Sequence, residues 1–312
     1  MAGKALTGSG DIRIGTRGSR LALVQAEIVR RLLVSAHGLD DRQIEIVPIT
    51  TRGDRELGRP LHEIGGKGLF CGEIETQLTN GNIDMAVHSL KDMPAVQPDG
   101  LVVACIPCRG DPRDALISER HRNIRAIPSG TRVGTSSTRR RAQLLHLNSS
   151  LEICGFRGNV ETRLRKLAEG QAEATMLAVE GLCRSGLADA RMHPVPVSDM
   201  LPSPAQAAIC VETRMDDFRA TAMLAPLNDK DSHAACSAER AFLKELDGDC
   251  TTPIGALAVI SGNKVALEGE LLDPEGTLRV RDLIEGSVDQ PQDLGRYLAD
   301  RVQTEFCRRA GG

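Results

Sequence analysis

Short apolar runs alternate with amphipathic stretches along the first two-thirds of this chain, and that alternation limits the fold more than any other feature. Ile12-Arg13-Ile14-Gly15 reads as a strand, Leu21 to Leu33 as a helix with apolar positions three or four apart, and Ile44-Glu45-Ile46-Val47 as a second strand. A helix over Leu69 to Leu78 and a strand over Ile83 to His88 follow. Past Leu101-Val102-Val103-Ala104 the pattern resumes: strands at Arg132-Val133, Leu151 to Cys154 and Ala174 to Ala178 alternate with helices near 138–147, 159–169 and 179–186. Such order predicts mostly parallel sheets with ligands at the strand ends, where loops converge. A Pro-rich stretch from Pro194 to Pro204 leads into a strand at Ala208 to Val211. Beyond about residue 228 one helix (232–246), three antiparallel strands (254–260, 264–272, 278–284) and a closing helix (292–308) are expected. The class is α/β, with two lobes and a small α+β C-terminal domain.

Arginines crowd where helix physics disfavours them. Gly134-Thr135-Ser136-Ser137-Thr138 runs into Arg139-Arg140-Arg141 and then an apolar helix, so three cations fall in a first helical turn. Unpaired backbone N–H groups already make that end positive, and each added cation costs about 0.3–1 kcal/mol without an anion. A second cluster, Arg157-Gly158-Asn159-Val160-Glu161-Thr162-Arg163 with Arg165 beyond, follows at once. A ligand carrying several negative groups explains both, held by loop amides, hydroxyls and guanidinium forks.

Composition narrows that ligand. With 39 Lys+Arg against 42 Asp+Glu, the basic groups are local rather than a general cationic coat. Five Phe, one Tyr and no Trp leave few platforms for base stacking, so no nucleic-acid partner is expected. No apolar run reaches the roughly 20 residues of a membrane span, the N-terminal segment lacks the apolar core of a secretory signal, and nine cysteines without framework spacing suit a reducing compartment. The expectation is a cytoplasmic protein with no membrane partner, taking a small polyanion.

Three further places could carry chemistry. The strand ending at His88 opens into Ser89-Leu90-Lys91-Asp92, delivering a cation and a carboxylate together; it is either a solvated turn or, in a cleft, an acid/base pair. Gly65-Gly66-Lys67-Gly68-Leu69-Phe70 is not a phosphate-binding P-loop, because Gly68 stands where Ser or Thr is required and the first Gly of the motif is missing. It is a mobile loop carrying Lys67 over a site, or a plain surface loop. Cys250 sits in the polar turn Asp247-Gly248-Asp249-Cys250-Thr251-Thr252, whereas Cys105, Cys154 and Cys210 lie in apolar runs as small core residues. Flanking aspartates disfavour a thiolate, so Cys250 is read as a covalent tether. Cys105-Ile106-Pro107-Cys108 has no second pair or nearby His, and no metal site is expected.

These stretches together resemble the porphobilinogen deaminase (hydroxymethylbilane synthase) family from about Ile12 to the last helix. The resemblance is carried by Arg13-Ile14-Gly15-Thr16-Arg17-Gly18-Ser19, Thr51-Arg52-Gly53-Asp54, the Lys67 loop, Ala86 to Asp92, Arg109-Gly110-Asp111-Pro112-Arg113-Asp114, Gly134 to Arg141, Arg157 to Val160 and the Cys250 turn. It implies a cytoplasmic transferase of porphyrin and haem synthesis that joins four porphobilinogens head to tail, releasing ammonia, to give linear hydroxymethylbilane. It further implies a dipyrromethane cofactor on a thioether to Cys250, and Asp92 as the catalytic carboxylate that stabilises the cationic azafulvene. By matching position, Lys91, Ser89, Thr135, Ser137, Arg139, Arg140 and Arg163 hold the cofactor. Arg17, Ser19, Lys67, Phe70, Arg157, Asn159 and Arg184 hold substrate.

The implied architecture is two periplasmic-binding-protein-like lobes around a cleft, acting as a monomer. Domain 1 would be 11–107 with 207–227, domain 2 108–206, and domain 3 228–312. Three departures stand out: Ala205-Gln206-Ala207 for a common Gly-Gln-Gly between lobes, Asp249 for a Gly, and Glu63 for a Lys. The rival readings are a noncatalytic two-lobed binder of a small polycarboxylate, which would not use a tether loop, and a phosphoryl-transfer enzyme, which lacks its P-loop and Mg²⁺ carboxylates.

Overall fold

A computed structural model describes residues 12–55, 70–248 and 252–311. Lys67, Glu63, Asp249 and Cys250 therefore lie outside the described residues. Strand β1 (Ile12–Arg17) pairs in parallel with β2 (Ile44–Ile49) and β3 (Met85–Ser89). Helix α1 (Arg20–His37) connects the first two; the Ser19 hydroxyl caps it by accepting from Ala22 N at 3.4 Å, and Gly38 closes it in the left-handed region at φ 63°. Its buried stripe of Ala26, Val29 and Leu33 packs on Ile14, Met85 and Val87, which is why the apolar period is helical there and alternating in the strands. A single turn, α2 (Arg52–Arg55), then α3 (Gly72–Thr79) and β4 (Leu101–Cys105) complete this lobe's first pass.

The chain then crosses to a second sheet of β5 (Asp114–Ile117), β6 (Arg132–Gly134), β7 (Glu152–Cys154), β8 (Ala174–Ala178) and β9 (Met192–Pro194), ordered β7-β6-β8-β5-β9. Helices α4 (Thr138–Leu147), α5 (Val160–Ala168) and α6 (Val179–Arg184) follow its parallel strands. It returns as β10 (Ile209–Arg214), making the first sheet β2-β1-β3-β10-β4, and continues into α7 (Phe218–Leu224). Each of these two sheets is mostly of one strand direction, as expected, with a single reversed strand. In each, the strand arriving from the other lobe is the reversed one: β10 runs antiparallel to β3 and β4, and β5 to β8 and β9. A strand that enters from the cleft end must run against its neighbours. β5 and β9 went unread in the sequence, being short and set among Pro, Asp and Arg.

Helix α8 (Lys230–Glu245), strands β11 (Ile254–Ser261), β12 (Lys264–Leu272) and β13 (Arg279–Ser287), and helix α9 (Pro291–Ala310) form the third unit. Both helices bury Phe242, Leu298 and Val302 against Leu267 and Val280 on one face of its antiparallel sheet. Among the assigned core cysteines, Cys105 and Cys210 are buried and Cys154 is half-buried. No helix of the described residues is long and apolar enough to cross a membrane.

The β12–β13 turn clasps α4. Arg141 pairs with Glu275 at 2.5 Å, and His146 Nδ1 lies 3.0 Å from the Gly276 carbonyl. Gly276 has φ 70°, and a Cβ there would stand 2.2 Å from the Ala142 carbonyl oxygen, a backbone atom that cannot step aside. Gly276→Ala is therefore expected to cost about 1–3 kcal/mol, read as a lower urea midpoint; an unchanged midpoint would show that the clasp does not form.

Candidate active site

The arginine crowd finds much of its anion inside the chain. Ser137 caps α4, its hydroxyl accepting from Arg140 N at 3.4 Å, and the next turn sends Arg139 and Arg140 inward, each 5% exposed. Both converge on Asp114 at the start of β5: Arg139 Nη1 is 2.7 Å from Oδ2, and Arg140 Nη2 is 2.7 Å from Oδ1. Backbone carbonyls of Leu201 and Met176 take further donors at 2.7 and 2.8 Å. Burial opposes charge on Asp114, yet the two guanidiniums outweigh it and hold the carboxyl well below the usual range. One carboxylate against two guanidiniums still leaves the triad positive. Arg141 leaves the group for Glu275.

From the other lobe, β3 ends in one 3₁₀ turn, Leu90–Asp92. Lys91 Nζ reaches inward to donate to Gln206 Oε1 at 3.1 Å. Burial pushes the Lys91 ammonium down to about 8; Asp92 and Asp114 oppose the shift, and Arg140 and Arg139 reinforce it. Asp92 itself is exposed at the cleft. Opposite it, Arg163 donates through Nε to the Gly158 carbonyl at 2.8 Å. Burial lowers its guanidinium to about 10, with Arg140 and Arg157 pushing the same way and Asp92 resisting. Among the described residues neither Arg157 nor Arg163 has a carboxylate within ion-pair distance, and Arg157 Nη1 is buried with no acceptor. Those donors are available to a ligand.

A cavity beside Asp92 is lined by Arg17, Ser19, Gln25, Phe70, His88 and Ser89. Arg17 forks onto Asp54, its Nε 3.2 Å from Oδ1, and its guanidinium carbon lies 4.3 Å from the centre of the Phe70 ring. Ser89 Oγ and Gln25 Nε2 are 2.9 Å apart.

The structure thus brings Lys91, Asp92, Arg139, Arg140, Arg157 and Arg163 into one electrostatic neighbourhood, and sets Arg17, Ser19, Phe70 and Ser89 around the adjoining cavity. Other nominated groups have internal duties. Ser19, Ser137 and Asn159 cap helices, Asn159 accepting from Thr162 N at 2.9 Å, and Thr135 Oγ1 accepts from Ser137 N at 3.2 Å. Arg184 pairs with Glu180 at 2.9 Å and donates to the Ala207 carbonyl at 2.9 Å. Sequence reasoning gave no role to Asp114, Gln206, Asp54 or Gln25. Only Gln25 had a local signal, as a polar residue inside the apolar stripe of α1.

Ala205 and Ala207 adopt φ 59° and 70°, so the substituted hinge reaches the backbone region that favours glycine. Each such alanine costs about 1–2 kcal/mol, which its surroundings must offset.

This fold and cleft define a two-lobed α/β protein with a cation-rich cleft between its lobes. A family model described as "Porphobilinogen deaminase, dipyromethane cofactor binding domain" matches residues 12–222, and one described as "Porphobilinogen deaminase, C-terminal domain" matches 233–303. The porphobilinogen deaminase of Paracoccus denitrificans is 49% identical over 300 residues, covering 95% of this chain and 96% of that protein. Those of Syntrophotalea carbinolica and a Roseiflexus species are 45% and 47% identical, covering 94% and 93% of this chain and 93% and 94% of those proteins. The chain belongs to the porphobilinogen deaminase family. It is a transferase of tetrapyrrole synthesis that uses a dipyrromethane cofactor, and a noncatalytic binder is not favoured.

Proposed function

We propose that the cleft between the two sheets polymerises porphobilinogen with Asp92 as its catalytic carboxylate, on a dipyrromethane anchored by thioether to Cys250. The supporting observation is the position of Asp92, exposed at the end of the β3 turn and facing guanidinium donors of the opposite lobe that lack carboxylate partners among the described residues. Every pyrrole of the product carries an acetate and a propionate, and a growing chain of them would repel itself without cations. Charge-assisted hydrogen bonds of about 1.5–3 kcal/mol each are enough to retain intermediates through repeated additions.

The residues fit such a cofactor, since the Asp114 triad stays positive and Arg157 Nη1 has no acceptor among the described residues. Lys91, Arg139, Arg140 and Arg163, with Ser89, Thr135 and Ser137, would hold its carboxylates; when bound it supplies the nucleophilic pyrrole carbon. Arg17, Ser19, Phe70, Arg157, Asn159 and Arg184, with Lys67, would receive the incoming ring. Asp92 accepts the pyrrole N–H and stabilises positive charge on the ring as the aminomethyl group leaves as ammonia. Residues 11–107 with 207–227, 108–206 and 228–312 serve as three domains, the first two moving about the crossing strands to admit each ring. The protein acts as a cytoplasmic monomer, with neither nucleic acid nor membrane as partner.

Intact-mass measurement tests the anchor. The purified protein is expected to exceed its sequence mass by two pyrrole units and Cys250→Ser to lose that increment; an active protein at its bare sequence mass would refute the reading.

A further inference from the structure

The crossing from the second lobe back to the first passes through Ala205-Gln206-Ala207, where Ala205 and Gln206 are fully buried. Three charged side chains hold its backbone. Glu239 accepts from Ala205 N at 2.6 Å, Arg109 donates to the Gln206 carbonyl at 2.8 Å, and Arg184 donates to that of Ala207 at 2.9 Å. Arg109 and Glu239 are themselves paired at 2.6 Å. Left-handed backbone on either side therefore aims the Gln206 side chain in one direction.

That side chain spans the two halves of the site. Its Oε1 accepts from Lys91 Nζ at 3.1 Å, while its Nε2 donates to Asp114 Oδ1 at 2.9 Å and to the Pro112 carbonyl at 2.7 Å. An ammonium can only donate; a carboxylate and a carbonyl can only accept. A side chain with an acceptor on one branch and a donor on the other is required, and glutamine supplies both. Without it, the Lys91 ammonium would face Arg139 and Arg140 without its hydrogen-bond acceptor, or would compete with them for Asp114.

We propose that Gln206 is a positioning residue: its carboxamide ties Lys91 of one lobe to the Asp114–arginine triad of the other, fixing the ammonium and the adjoining Asp92 where carboxylates in the cleft meet them. The inference rests on the cleft reading above for what is bound there.

The test is the pH dependence of Lys91 acetylation by acetic anhydride, followed on the Lys91 peptide by mass spectrometry, together with steady-state rates. The groups facing Lys91 are Asp92, Asp114, Arg139 and Arg140 and, on the cleft reading, the carboxylates of the bound cofactor. Burial lowers the Lys91 ammonium to about 8 in the bare cleft and cofactor carboxylates raise it, so each variant's midpoint is compared with that of the parent carrying the same cofactor. Gln206→Glu places a carboxylate against Lys91 and Asp114, raising the midpoint by about one pH unit or more. It is also expected to lower kcat about 10- to 100-fold, with recovery as the pH falls and the introduced carboxyl, once protonated, again donates to Asp114. A merely structural role gives an unmoved midpoint and a loss that acid does not reverse, and either result overturns the proposal. Gln206→Asn, one methylene short, provides a second arm should Gln206→Glu fail to fold. It is expected to lower the midpoint as the ammonium loses its acceptor, and an unchanged midpoint would count equally against the idea. Acetylation needs no turnover. A missing adduct on Cys250 beside a shifted Lys91 midpoint would therefore refute the cleft reading and leave the Gln206 bridge standing.

Discussion

Asp92→Asn is expected to keep the parent's fold and its two-pyrrole mass increment while turning over about 10²- to 10⁴-fold more slowly. The substitution is nearly isosteric, and among the described residues Asp92 has no ion-pair partner to lose. The variant does lose the negative charge opposite Arg163 and beside Lys91. A carboxamide can still accept from a pyrrole N–H, so binding should suffer less than rate. That pattern, kcat reduced with KM nearly kept, marks a group whose interaction strengthens as positive charge develops on the substrate. Initial rates of porphobilinogen consumption decide it. Activity above about a tenth of the parent would remove Asp92 from the chemistry, because even one general acid–base or electrostatic contribution exceeds that factor.

The physics of the sequence singled out the arginine cluster but misassigned part of its charge balance. Three arginines opening a helix do require an anion, as the turn from Thr138 to Arg141 suggested. The nearest one comes from Asp114, on a strand too short and too polar in its surroundings to be read as one. No local spacing reveals a carboxylate 25 residues upstream; only the crossing of β5 into the second sheet puts it beneath α4. Periodicity did reveal α1, the βαβ order and the third unit's three strands, because those elements bury one face over many residues. Gln206 shows the opposite limit. Its flanking alanines argue by propensity against left-handed backbone, yet Glu239, Arg109 and Arg184 impose it. Tertiary contacts overrode a local preference at the place where the lobes join.

Asp114→Asn is expected to be the most destabilising single change in the cleft, at about 3–5 kcal/mol, since it leaves Arg139 and Arg140 buried without the carboxylate they share. The pH dependence identifies the cause. Asp114 titrates below its unfolded value in the folded protein, so the unfolded chain binds its proton more readily. Its contribution is complete above the unfolded carboxyl's pKa of about 4. It then falls away as the pH drops from there toward the folded value. Urea unfolding of parent and variant should therefore differ fully at neutral pH and converge in acid. A gap that stays constant from neutral to strongly acidic pH would point to lost packing rather than lost charge. The same experiment bears on function. Arg139 and Arg140 can meet ligand carboxylates only while Asp114 keeps them oriented, so the variant should also bind its cofactor poorly in the pH range where the parent binds it well.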